Sequence, residues 1–88
     1  MVHAFVAVVV SAGTERELVE QIREHPAVTE AFVVTGDFDV IVDLETETTQ
    51  ELLRAVTEGI RALESVGTTR TYVCLADGGD GHGESRAT

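Results

Sequence analysis

The sequence predicts an α+β domain in the order strand, helix, strand, strand, helix, strand, on three observations. Apolar runs of strand length, rich in β-branched residues or alternating with period two, occupy residues 2–10, 28–35, 38–45 and 68–76. Two segments between them, opening at Thr14 and Thr48, carry apolar residues at steps of three and four behind sequences of the capping-box type. The stretch Val33 to Asp43, Val-Val-Thr-Gly-Asp-Phe-Asp-Val-Ile-Val-Asp, leaves no room for a helix between the second and third strands, so these pair as an antiparallel hairpin.

The first strand, Val2 to Val10, is nearly unbroken Val, Ala and Phe, as expected of a strand covered on both faces. Alternation sends Ala4, Val6, Val8 and Val10 one way and Phe5, Ala7 and Val9 the other. Ser11, Ala12 and Gly13 break the run. Thr14 and Glu17 then form a capping box ahead of Leu18, Val19 and Ile22, with Glu20, Gln21, Arg23 and Glu24 on the opposite face. Pro26 ends this helix and biases His25 away from helical geometry, which makes His25 a surface residue at the helix end.

The second strand spans residues 28–35 and the third residues 38–45, joined by a turn at Thr35 to Asp37 in which Gly36 supplies a positive φ. In the third strand Phe38, Val40, Val42 and Leu44 point one way and Asp39, Ile41 and Asp43 the other. Three aspartates, Asp37, Asp39 and Asp43, crowd in and after this turn, and a charge beside a buried strand needs a partner. They either fix the turn and face water, or they present polar groups to a ligand.

Thr48 and Glu51 form a second capping box before Leu52, Leu53, Val56, Ile60 and Leu63, with Glu58 placed to pair with Arg54 or Arg61. Gly59 lowers helix propensity by about 1 kcal/mol and so marks a close packing contact. Gly67 reads as the stop signal. The last strand, residues 68–76, places Thr69, Thr71, Val73 and Leu75 on one side and Arg70, Tyr72 and Cys74 on the other. Residues 77–88, glycine-rich and acidic, cannot bury a core and read as a disordered tail, leaving one domain over residues 1–76.

Two right-handed crossovers of this kind place both helices on one face of a four-stranded antiparallel sheet, the ferredoxin-like βαββαβ arrangement. The other face is left open. Because the first strand is apolar on both faces, the open face exceeds what a soluble monomer exposes, and it predicts a homodimer with two sheets packed face to face, as in a dimeric α+β barrel.

In 88 residues, 16 are acidic and 6 basic, all six arginine, for a formal charge of −10. Such a surface repels phosphates, which argues against direct nucleic-acid binding. It is the balance of a salt-adapted, halophilic protein, since the Debye length falls to about 3 Å near 1 M salt. The lone Cys74 has no partner for a disulfide and sits in an apolar run as a packed small hydrophobe; His3, His25 and His82 are too scattered for a metal site. The amino-terminal apolar run lacks a basic flank and is too short to span a bilayer, so the expected location is cytoplasmic, with no membrane partner and no cofactor.

Val33-Val34-Thr35-Gly36-Asp37-Phe38-Asp39 resembles the hairpin signature of the Lrp/AsnC effector-binding domain, the RAM domain: a Thr-Gly, an acidic residue, an aromatic and an Asp. Val66-Gly67-Thr68-Thr69-Arg70-Thr71-Tyr72-Val73 is similar to that family's closing strand, with two threonines spaced by one residue, and Pro26-Ala27-Val28 also fits. The resemblance covers residues 2–76. It implies a dimer that assembles further, often as a tetramer of dimers, and binds an amino acid or related small effector between dimers. Carried over, the ligand contacts are Gly36, Asp37, Phe38 and Asp39 with Thr69 and Thr71. Carboxylates accept from an ammonium, hydroxyls and turn amides bond a carboxylate, and Phe38 offers an apolar wall. Full-length family regulators carry a helix-turn-helix domain before this one and nothing precedes Val2 here, so the expectation is a stand-alone module that senses a metabolite or co-assembles with full-length regulators.

Two other readings share the topology. A dimeric α+β barrel enzyme needs an acid or base in a pocket between helices and sheet, for which the candidates are Asp39, Asp43 and Tyr72, His3 being the one histidine in a strand. An ACT-like regulatory domain binds its amino acid near the first strand-helix turn, where Ser11-Ala12-Gly13 is a thin match.

Overall fold

The computed structural model describes residues 1–75, so the expected tail at 77–88 lies outside the described residues. The elements are β1 (Val2–Val10), α1 (Glu15–Arg23), β2 (Val28–Val33), β3 (Val40–Thr46), α2 (Thr49–Arg54), which runs on as π-helix over Ala55–Ile60, and β4 (Val66–Val73). They form one antiparallel sheet in the order β2-β3-β1-β4. The ferredoxin-like fold is therefore present, with β1 between β3 and β4.

The helices cover the even-numbered side of β1. Ala4, Val6 and Val8 are fully buried there with Val40, Val42 and Leu44 of β3, against Leu18 and Ile22 of α1 and Leu52 and Ile60 of the second helix. Each fully buried Leu, Ile or Val contributes roughly 1.5–3 kcal/mol. Among the described residues no polar or charged side chain is buried, so the core is wholly apolar.

The two helix starts differ. Thr48 is extended (φ −133°, ψ 157°) and its Oγ1 accepts from the Glu51 amide at 3.1 Å, while the Glu51 carboxylate accepts from the Glu47 amide, one residue ahead of the cap. Thr14 has φ −107° and ψ 5°, which turns its hydroxyl back to donate to the Ser11 carbonyl at 2.6 Å, so the first capping box does not form.

Within the second helix the Arg61 amide donates to the Val56 carbonyl, five residues back, at 2.8 Å. The widened turn holds Gly59 against the imidazole of His25: a Cβ at Gly59 would stand 2.7 Å from His25 Cδ2. The ring is fixed from its other side, because Nδ1 accepts from the Ala27 amide at 3.0 Å. His25 is thus a half-buried packing residue, where helix-end geometry alone predicts a surface one. Gly67, expected as a helix stop, lies inside β4 opposite the irregularity between Val8 and Val10, where a Cβ would sit 3.3 Å from the Val9 carbonyl oxygen. Leu53, expected in the core, is 54% exposed, and Cys74, expected to pack, is exposed just past the end of β4.

The helix-free face carries two cross-strand rows, Phe32, Ile41, Ala7, Arg70 and Glu30, Asp43, Phe5, Tyr72. Phe5, Phe32 and Tyr72 are 39%, 50% and 56% exposed, so the apolar open face expected from the sequence is present in the single chain.

The His25–Gly59 contact yields a prediction with an unusual sign. Gly59→Ala improves helix propensity by about 1 kcal/mol, but overpacking of this type costs about 1–3 kcal/mol. Urea melts are expected to show Gly59→Ala less stable than the parent, and the same change stabilising in a His25→Ala background. A Gly59→Ala variant more stable than the parent would refute the contact.

Candidate functional site

The hairpin between β2 and β3 is closed by the Val34 amide donating to the Asp39 carbonyl at 2.8 Å, which leaves Thr35 to Phe38 as its tip. Gly36 there has φ +139°, a conformation open to glycine and strained for other residues. Gly36 and Asp37 are exposed, and Phe38 and Asp39 half-buried. The tip is longer than the expected turn because β2 ends at Val33 and β3 begins only at Val40.

Asp39 is committed to the scaffold. Its amide donates to the Val8 carbonyl at 2.9 Å, and its carboxylate accepts from the Val10 amide at 3.0 Å. The two bonds carry the β1–β3 pairing past its last register pair, Val8 with Val40. Asp37 has no side-chain hydrogen bond among the described residues, which makes it the free carboxylate of the tip.

Thr69 and Thr71 lie opposite Val8 and Val6 on the helix side of β4. With Thr68 they line a groove of about 450 Å³ whose other wall includes Leu53, Thr57 and Arg61 of the second helix. None of Gly36, Asp37, Phe38 or Asp39 lines it, and β1 lies between the hairpin and β4. One chain therefore presents the six expected residues as two separate groups. A groove of about 650 Å³ between the His25 turn and the second helix, with Glu45, Glu47, Glu51 and Glu58 on its walls, contains none of the six.

Asp43 finds its partner on the open face, where His3 Nε2 donates to its carboxylate and the His3 ring leans on Phe5 with centroids 5.0 Å apart. Sequence reasoning did not pair His3 with Asp43 because the two residues meet only through the β1–β3 register. It also missed Leu53, Thr57 and Arg61, whose four-residue spacing along one helix stripe was the available signal. Among the described residues no His, Cys, Asp and Glu side chains cluster as a metal site, and no helix is long and apolar enough to cross a membrane.

Residues 3–77 match the family model of the Lrp/AsnC ligand binding domain. A similar curated protein, the uncharacterized HTH-type transcriptional regulator PF0250 of Pyrococcus furiosus, is 33% identical over 63 residues, covering 72% of this chain and 42% of that protein. The chain thus spans less than half the length of the curated relatives it matches. Among solved structures, FFRP-DM1 superposes with a TM-score of 0.82 at 41% identity, covering 85% of this chain and all of that one. The regulator NMB0573 of Neisseria meningitidis, solved as a complex with L-Met, shares the fold with a TM-score of 0.76 at 20% identity, over 86% of this chain and 51% of that one.

The two roles of Asp39 can be separated by stability. Asp39→Ala strands the Val10 amide, and an unsatisfied donor of this kind costs about 1–3 kcal/mol. Asp39→Asn keeps an acceptor oxygen in place and is expected to lose clearly less in the same urea melts. Equal losses for the two variants would show that the bond to Val10 does not support the fold.

Proposed function

The chain belongs to the Lrp/AsnC ligand-binding domain family, and from that premise we propose that it is a small-molecule-sensing and oligomerisation module related to transcriptional regulators. Its effector is an amino acid or a related small molecule. The observation that carries the reading is the extent of the family match, which takes in the whole folded unit from His3 onward. The L-Met complex of NMB0573, a protein of the same fold, makes amino acids the first class to test.

The open sheet face supports assembly. Phe5, Phe32 and Tyr72 are exposed on it beside the half-buried Ile41, and a second copy turned by a two-fold axis offers the same residues in return. Association of such dimers is the step that brings a hairpin tip of one copy to the threonine groove of another. The effector site is then composite: Gly36, Asp37, Phe38 and Asp39 from one side, Thr69 and Thr71 from the other. Asp37 accepts from the effector's ammonium, the threonine hydroxyls and tip amides donate to its carboxylate, and Phe38 packs its side chain.

With a formal charge of −10, the module acts on nucleic acid only through a partner, and full-length regulators of the same family are the proposed one. The same charge suits a salt-adapted cytoplasmic protein.

Light scattering at molar salt is expected to give a dimer or a multiple of it. Phe5→Glu and Tyr72→Glu should shift it to a folded monomer with unchanged far-UV circular dichroism. A parent that stays a well-folded monomer would remove the assembly. Calorimetry against the twenty amino acids should reveal at least one ligand, and Asp37→Asn and Thr71→Val should each weaken it roughly tenfold, the worth of one charge-assisted or buried hydrogen bond. Unchanged affinity in both variants would take the site away from these residues.

A further inference from the structure

We infer that the charges on the open sheet face decide how two copies stack: the two-fold axis runs parallel to the strands, and Arg70 of each copy pairs with Glu30 of the other. The inference rests on the sheet-pairing reading and deepens it, naming the residues that set its geometry.

The cross-strand register separates the charges of this face by sign. Glu30 of β2 and Asp43 and Glu45 of β3 lie on one half, and Arg70 of β4 lies on the other, in the row next to Tyr72. Among the described residues Arg70 has no ion-pair partner, whereas Arg23 and Arg54 are paired within the chain. Asp43 is engaged by His3. Glu30 uses a single carboxylate oxygen, Oε1, for both the Ala31 amide and Arg23, and its Oε2 makes no hydrogen bond among the described residues. An unpaired cation and an unused carboxylate oxygen thus stand on the two edge strands of one face. With β3 and β1 between them, they are about 14 Å apart across the sheet and cannot meet within one chain.

Two aligned sheets packed face to face admit two such arrangements. With the axis across the strands, each strand covers its own duplicate, so Arg70 approaches Arg70 and the carboxylates of β2 and β3 face one another. With the axis along the strands, β2 lies over β4, and the acidic half of each copy covers the half that carries Arg70 in the other. Phe32 of the second copy then stacks above Arg70, and Glu30 of that copy follows one row away, about 7 Å along the strand. The aliphatic stem of Arg70 lies along Phe32 while its guanidinium reaches the free Oε2. At the rim of the contact such a pair selects the orientation more than it adds affinity, because the competing arrangement sets like charges against each other.

The test measures dimer dissociation by sedimentation equilibrium at one fixed salt concentration. Arg70→Glu is expected to weaken the dimer roughly a hundredfold, tenfold for each of the two symmetry-related contacts that it makes repulsive. Arg16→Glu makes the same change of net charge from an exposed position on α1 and should stay within about twofold of the parent. Glu30→Arg alone should weaken self-association as Arg70→Glu does. Both changes in one chain should restore the dimer, and an equimolar mixture of the two single variants should form a heterodimer of parental strength. Glu30→Gln keeps an acceptor for the Ala31 amide and should weaken the dimer about as much as Arg70→Gln, with circular dichroism reporting that each variant is folded. An Arg70→Glu dimer as tight as the Arg16→Glu control overturns the inference and leaves the pairing of sheets standing, as does a double exchange that restores nothing. A parent that is monomeric at every concentration removes the pairing of sheets and this inference with it.

Discussion

The burial of β1 between two other strands and beneath two helices is the constraint on which the other features depend. Ala4, Val6 and Val8 have no solvent exposure, and each is matched across the sheet by an equally buried residue of β3. Alanine and valine are small enough for Leu18, Ile22, Leu52 and Ile60 to reach the sheet from above, so the helices are held by shape as much as by area. A chain of this size has little apolar surface to spare. The odd-numbered residues of the same strand lie on the helix-free face, where Ala7 is buried and Val9 half-buried but Phe5 is still 39% exposed, which links the stability of the single domain to the proposed pairing of sheets.

The sheet's edge at β2 is closed by a side-chain clamp. The Glu30 carboxylate accepts from the Ala31 amide at 2.9 Å and from Arg23 Nε at 3.0 Å, while Arg23 Nη2 donates to the Ala31 carbonyl at 2.8 Å. Both backbone groups that Ala31 turns outward are thereby occupied, a device that discourages strand addition. As an ion pair the contact is half-exposed and worth little, at about 0–1 kcal/mol. Its effect is local: strand addition at Ala31 is discouraged, while the rest of β2 and the β4 edge carry no such contact among the described residues.

The fold was legible because its signals are local. Alternation in β1 and β3, the helical spacing of Leu18, Val19 and Ile22, and the positive φ demanded at Gly36 all survive in the structure. What could not be read depends on register or on contacts between distant segments. Thr48 and Thr14 open similar motifs, yet only Thr48 has the extended backbone that lets its hydroxyl accept. His25 faces Gly59 because a π-turn widens the helix, and no spacing rule announces that turn. For the expected site, Gly36 and Asp37 were placed in the turn and Thr69 and Thr71 in the last strand as found, whereas Phe38 and Asp39, expected in the third strand, lie ahead of Val40; whether the groups meet was not readable, because strand order sets β1 between them.

That separation bears on how the proposed sensing can work. The topology that buries β1 best also keeps the hairpin tip and the β4 threonines apart, so a ligand touching both must do so across a contact between copies. A ligand of that kind binds the assembled state and not the separate chains, and its affinity is linked to assembly by the same free energy in both directions. Asp39 sharpens the point, because its carboxylate is held by Val10 and cannot swing toward a ligand without loosening the end of β1. Asp37, free at the tip, can respond to a ligand at no cost to the sheet. The two aspartates, two residues apart, thus divide the work, one holding the scaffold and one facing outward, and the proposed contact at the tip asks nothing of the bond that holds β1.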